Sequence, residues 1–203
     1  MNRPRLTSRR QFMAPCALLP LAALGAPLGA AADTKSPTTS RVLVAYFSRS
    51  GNTRVIAGYI GRSLGAEVFE IQPAQPYPED YYQTVEQARR ERDSGFKPLL
   101  KGRVAKLDAY DVVYLGFPIW GETAPPVIRS FLAAHDLADK TLIPFITHGG
   151  YGAGDSLKVV AAHAPRARLQ EAALVMQADQ ERQTTEQVSR WLGDVRPDRR
   201  SPK

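Results

Sequence analysis

V-L-V-A-Y-F-S-R-S-G-N-T, residues 42–53, is the most informative run in the chain. Four apolar residues followed by Tyr46 and Phe47 read as a strand covered on both faces, and a helical pattern begins once the small residues of 48–53 have interrupted it. Ser48, Ser50 and Thr53 can donate O–H bonds. Gly51 and Asn52 suit a tight turn that lets backbone N–H groups converge on one anionic group at the positive end of the helix dipole. No Lys closes the loop, so the P-loop pattern fails, and the three spaced glycines of the dinucleotide fingerprint are absent. Nucleoside triphosphate hydrolysis and NAD binding at this loop are disfavoured. What remains is a terminal phosphate held by neutral donors.

The run S-R-S-G-N-T after a buried strand resembles the phosphate loop of the flavodoxin family, whose Ser/Thr-x-Ser/Thr-Gly-x-Thr pattern binds the phosphate of FMN. A hydroxyl-rich turn between strand and helix can also simply cap the helix. Two further segments bear on that choice. Residues 110–117, YDVVYLGF, form a third buried strand that runs into P-I-W-G-E-T-A-P-P. A Trp-Gly loop at this place is similar to the family's second flavin-contacting loop. The commoner version in one branch reads Pro-x-Trp-Trp-Gly-Thr; this chain lacks one Trp and carries Glu122 instead, so the details of ring contact depart from that pattern. Residues 140–147, KTLIPFIT, form the fourth strand, and H-G-G-Y-G-A-G follows. Glycines this dense let backbone approach a flat ligand, and Thr-His-Gly-Gly again resembles that branch.

The resemblance implies a three-layer α/β sandwich with a five-stranded parallel sheet of order 2-1-3-4-5, the ligand lying at the carboxyl ends of strands one, three and four. It implies FMN as cofactor, held by Ser48, Arg49, Ser50, Gly51, Asn52 and Thr53 of the first loop. Pro118, Ile119, Trp120, Gly121, Glu122 and Thr123 would contribute from the second loop, and Thr147, His148, Gly149, Gly150, Tyr151 and Gly152 from the third. Trp120 and Tyr151 are the expected flanks of the flavin ring, and each could equally be a surface or core aromatic. His148 reads as a loop residue near the flavin or as a proton relay.

Independently of the resemblance, alternating strands and helices with strands apolar throughout indicate a parallel sheet covered on both faces. Val55, Ile56, Tyr59, Ile60 and Leu64 fall at helical spacing over 52–63, with Gly65 as the stop. The second strand is expected over 67–71. A charged helix over 79–93 follows, with Tyr81, Val85 and Ala88 as its apolar stripe and Glu86 paired to Arg90. Tyr77-Pro78-Glu79-Asp80-Tyr81 resembles an element of the same flavodoxin branch, or is a proline at the first position of a surface helix. Residues 93–107 connect over the surface. Further helices are expected over 126–135, 155–163 and 184–192, and a fifth strand over 168–176.

The chain has 203 residues and a formal net charge of +7. Arg3, Arg5, Arg9 and Arg10 carry four of those charges, and the basic tail 196–203 carries a net three, which leaves the intervening body neutral. A nucleic-acid patch is therefore not expected. Residues 1–32 read as an export signal: S-R-R-Q-F-M at 8–13 resembles the twin-arginine motif, an apolar stretch follows, and Ala30, Ala31 and Ala32 offer a cleavage site. Pro15, Pro20 and Pro27 argue against a membrane span, so no stable insertion is expected after cleavage. Residues 33–40 form a linker and 41–195 the domain. Removal of the signal removes Cys16, the only cysteine, and with it any disulfide or thiolate metal site. Ser50 lacks a Gly-x-Ser-x-Gly elbow, and His135, His148 and His163 show no triad context, so hydrolase chemistry is disfavoured.

The expected function is an exported, periplasmic FMN electron-transfer protein serving a redox protein or a small electron acceptor, with no catalytic or metal-binding residue of its own. The alternative is an NAD(P)H-dependent quinone reductase, and a third reading is a family member that has lost flavin.

Overall fold

A computed structural model of the protein describes residues 40–177 and 181–195. The predicted signal peptide, linker residues 33–39 and basic tail lie outside the described residues. The elements are β1 (Val42–Tyr46), α1 (Asn52–Leu64), β2 (Glu67–Glu70), α2 (Tyr81–Asp93), β3 (Val112–Pro118), α3 (Pro126–Ala134), β4 (Thr141–His148), α4 (Ser156–His163), β5 (Arg168–Leu169), β6 (Leu174–Gln177) and α5 (Glu181–Asp194). All pairings between these strands are parallel, in the order β2-β1-β3-β4-β5, with β6 also on β4.

Strand periodicity separates two cores. Leu43, Ala45, Val113, Leu115 and Phe117 face Val127, Ile128 and Phe131 of α3 and Val160 of α4. Val44, Tyr46, Val112, Tyr114, Ile143 and Phe145 face Ile56, Ala57 and Ile60 of α1 and Val188, Trp191 and Leu192 of α5. Helices on both faces thus exclude water from strands that are apolar throughout, giving the three layers expected. Gly116 lies beside Phe145 in the register, and a Cβ there would stand 2.0 Å from the Phe145 ring. The aromatic ring fills the space that a side chain on β3 would take.

The expected fifth strand is interrupted, and Pro144 supplies the reason. The Thr147 carbonyl accepts from Ile119 on the β3 side, and the Leu142 carbonyl accepts from Gln170 on the other. By alternation Pro144 faces the fifth strand, and it has no N–H to offer. Pairing of β4 accordingly skips from Leu142↔Leu169 to Phe145↔Leu174. The Trp191 indole N–H donates to the Ala172 carbonyl at 2.9 Å, so α5 supplies a partner where the ladder cannot.

Four local expectations are corrected. Helix α2 starts at Tyr81, where Asp80 is the N-cap and accepts from the Gln83 N–H at 2.8 Å; Pro78 stands outside the helix. Its buried face is Thr84, Ala88 and Glu91, while Tyr81 and Val85 are exposed. A carboxylate can be buried there because Glu91 accepts from the Tyr77 hydroxyl and from Gln87, at 2.7 and 2.8 Å. Glu86 pairs with Arg89 at 3.0 Å, and Arg90 instead donates to the Glu86 carbonyl. On α1, Val55 points outward, and Thr53 takes a buried position in its place.

Candidate functional site

Three loops meet at the carboxyl ends of β1, β3 and β4. The first runs from Phe47, whose N–H donates to the Gly116 carbonyl of β3, through the Ser48 to Gly51 turn into α1. Gly51 adopts φ 98°, and no side chain caps the helix. The capping alternative therefore fails at this helix: the Ser48 hydroxyl accepts from the Gly51 N–H at 3.1 Å within the loop, and the first helical N–H groups stay available. The two neighbouring arginines are engaged elsewhere. Arg49 donates to the Glu79 carbonyl at 2.8 Å, tying the loop to the segment before α2, and Arg54 pairs with Glu70 at 2.5 Å. Ser50 and Asn52 are exposed on the loop.

Thr53 is 1% exposed and Thr147, at the end of β4, is 2% exposed; their hydroxyls lie 2.9 Å apart. Two hydroxyls bring two protons, and their mutual bond uses one. Among the described residues the second proton has no acceptor. The pair can therefore turn that proton toward an oxygen placed beside the first turn of α1.

The second loop closes on itself as a two-residue hairpin. Trp120 and Thr123 form an antiparallel bridge, with the Trp120 N–H on the Thr123 carbonyl at 3.0 Å, and both central residues have positive φ, 58° at Gly121 and 61° at Glu122. This is the I′ pattern. Trp120 leans on Tyr77 and Phe47, edge to face, with ring centroids at 4.8 and 5.3 Å. Tyr77 is itself half-buried beside Glu91, and its phenol is raised well above its ordinary range by burial first and by the carboxylate second. Trp120 is thereby anchored on one side by residues the sequence did not connect to it. Pro118 and Ile119 are half-buried below it, and the Ile119 N–H reaches the Thr147 carbonyl at 2.8 Å.

The third loop is packed against the second at its far end. The Asp155 N–H donates to the Glu122 carbonyl at 3.0 Å, and a Cβ on Gly154 would stand 1.9 Å from that oxygen, so only glycine permits the approach. The Gly150 N–H donates to His148 Nδ1 at 3.0 Å, which puts the proton of the neutral ring on Nε2. Gly149 is exposed and Gly152 half-buried, and Tyr151 stands 82% exposed at the loop tip. Of the eighteen residues expected around a flavin, the structure brings all three sets to one edge of the sheet. Thr123 is turned into the protein, and Thr147 reaches Thr53.

A parallel sheet with uncapped helical N–H groups and neutral hydroxyls at its carboxyl edge defines a nucleotide-phosphate-binding α/β protein. The family is the flavodoxins: the flavodoxin family model matches residues 41–195, and the chain belongs to that family. Among solved structures, a candidate flavoprotein from Bacteroides eggerthii is 32% identical, with a TM-score of 0.66, covering 77% of this chain and 98% of its own. One from Bacteroides uniformis is 29% identical, TM-score 0.65, covering 74% and 98%. A flavoprotein from Lactobacillus acidophilus in complex with FMN shares the fold at 19% identity, TM-score 0.60, covering 75% and 99%. No curated protein matches the chain. The residues present fit FMN, the family's cofactor. The donor set of the first loop is neutral and uncapped, and the buried Thr53–Thr147 pair can add an O–H donor beside it.

Proposed function

We propose that this chain is an FMN-binding electron carrier of flavodoxin type that works outside the cytoplasm. The carrying observation is the buried Thr53–Thr147 hydroxyl pair at the uncapped start of α1. Bound FMN would accept and release electrons; the protein supplies position and electrostatics. Thr53 and Ser50, with the first N–H groups of α1, would hold the phosphate. Trp120, braced by Tyr77 and Phe47, and the exposed Tyr151 would flank the ring. His148 Nε2–H offers a donor from the third loop.

The body carries no net charge, which favours a second reading. Carriers that dock by steering rely on a charged face, whereas a reductase acting on a small acceptor does not. Anaerobic titration of the flavin-loaded full chain decides between the two. Reduction only by a redox protein supports the carrier; reduction by NADH or NADPH with turnover to a quinone replaces it with the oxidoreductase. A colourless protein that does not take up FMN removes both.

Export rests on the Arg9-Arg10 pair within S-R-R-Q-F-M and on the Ala30 to Ala32 site. It fits a flavin protein because the twin-arginine route carries folded, cofactor-loaded cargo. Among the described residues no helix is long and apolar enough to cross a membrane.

A further inference from the structure

Behind the second loop lies a cavity of about 560 Å³ with Arg92 of α2, Arg129 of α3, Glu122, Thr123 and Asp155 in its walls. Three buried side-chain polar atoms among the described residues have no hydrogen-bond partner: Thr123 Oγ1, Arg129 Nε and Ser156 Oγ. Two belong to residues lining this cavity, and the third to the residue following Asp155 in the chain. Thr123 is 4% exposed and Ser156 is fully buried. Native interiors satisfy nearly all such atoms, so Thr123 Oγ1 and Arg129 Nε on the walls of one hollow mark it as a place where a ligand's acceptors would be met.

The orphaned groups can all donate, and Arg129 can only donate. It makes no ion pair among the described residues, and burial of its Nε leaves a partly desolvated cation without a counter-charge. Arg92 lies across the same hollow, its Nε already on Asp93 at 3.1 Å. The start of α4 adds a positive dipole end without a side-chain cap. Against these stand Glu122 and Asp155, both exposed and therefore hydrated. We propose that the cavity is a binding site for a small oxyanion, a carboxylate or phosphate group held by Arg129 and Arg92 with Thr123 donating from its hydroxyl. The site shares the second loop with the proposed FMN cradle, but its walls are α2 and α3, and the inference does not rest on flavin binding.

Calorimetric titration of the full, flavin-treated chain with succinate and separately with inorganic phosphate, at constant ionic strength, tests this. Saturable binding of either is expected, and the preferred one identifies the head group. Arg129→Gln and Thr123→Val should each weaken it about tenfold or more, as loss of a hydrogen bond to a charged group does. Asp155→Asn should tighten it by removing a like charge. Thr123→Val also deletes an orphaned hydroxyl, so without anion it should unfold at the same or a higher temperature, and lost binding cannot then be ascribed to misfolding. No saturable binding of either anion, or binding unchanged in both Arg129→Gln and Thr123→Val, overturns the site and leaves trapped water as the partner of these atoms. FMN affinity is read in the same samples: a protein that binds the anion but not FMN refutes the flavin reading and leaves this one standing.

Discussion

Thr53 occupies a helix position where the periodic pattern alone asks for an apolar residue, and burial of its hydroxyl is tolerable only with partners on both its proton and its lone pairs. Thr147 supplies one. If a phosphate oxygen supplies the other, Thr53→Val should weaken FMN by about 1.5–3 kcal/mol, the range for a hydrogen bond to a charged group. Riboflavin, which lacks the phosphate, should bind the variant as it binds the parent. Fluorescence titration with both ligands checks this, and equal losses would remove the phosphate from this loop. Glu122 poses a different residue-scale problem. Its φ of 61° costs a side-chain-bearing residue about 1–2 kcal/mol, while glycine in the unfolded chain gives back about 0.5–1. Glu122→Gly should therefore raise stability by up to about 1.5 kcal/mol, seen as a higher urea midpoint at unchanged slope.

At the scale of elements, His135 fastens the end of α3 to the long connection before β3. Its Nδ1–H donates to the Phe131 carbonyl at 2.8 Å, and Nε2 accepts from the Val104 N–H at 3.0 Å. The second bond needs the neutral ring, because a protonated Nε2 has no lone pair to accept with. Burial lowers its pKa below the usual 6.5; the Phe131 bond opposes that shift, and nearby Arg103 adds to it. The folded state then binds fewer protons than the unfolded chain, so the contribution is complete above pH 6.5 and is lost as pH falls from there through the lowered folded pKa. Urea midpoints between pH 8 and about 5 should drop, and His135→Gln should lose part of that slope. The broken edge of the sheet depends on a side chain in a similar way. Trp191→Phe keeps the ring against Tyr114 but abandons the Ala172 carbonyl, at an expected cost of about 1–3 kcal/mol in chemical denaturation.

For the whole molecule, the excess charge lies at the ends of the chain, and so does the proposed address. The seven excess positive charges fall within 1–32 and 196–203, so the body meets its partners without a strong field of its own. Substituting Lys for both Arg9 and Arg10 preserves the charge and removes the motif. The variant should accumulate in the cytoplasm, because a receptor reads the arginine pair and not its charge. Fractionation showing it exported like the parent would refute the signal.

Layer order, the parallel sheet and the three loops can be read from the chain alone, because each rests on local periodicity and on residues adjacent in the chain. Strands apolar throughout demand cover on both faces, and the run at residues 48–53 stands between strand and helix wherever the remainder packs. Even the interruption of the fifth strand was legible in principle, since Pro144 announces a missing donor; which neighbour it faces depends on the pairing. Packing alone brings Thr147 to Thr53 from 94 residues away. It also decided that Trp120 rests on Tyr77 and Phe47, and that Arg92 and Arg129 face one hollow. Burial turned α2 over for the same reason: Glu91 reads as a surface charge until the Tyr77 hydroxyl is placed beside it. Such facts are set by which distant surfaces meet, and no one-dimensional pattern records whether a buried polar atom has found its partner.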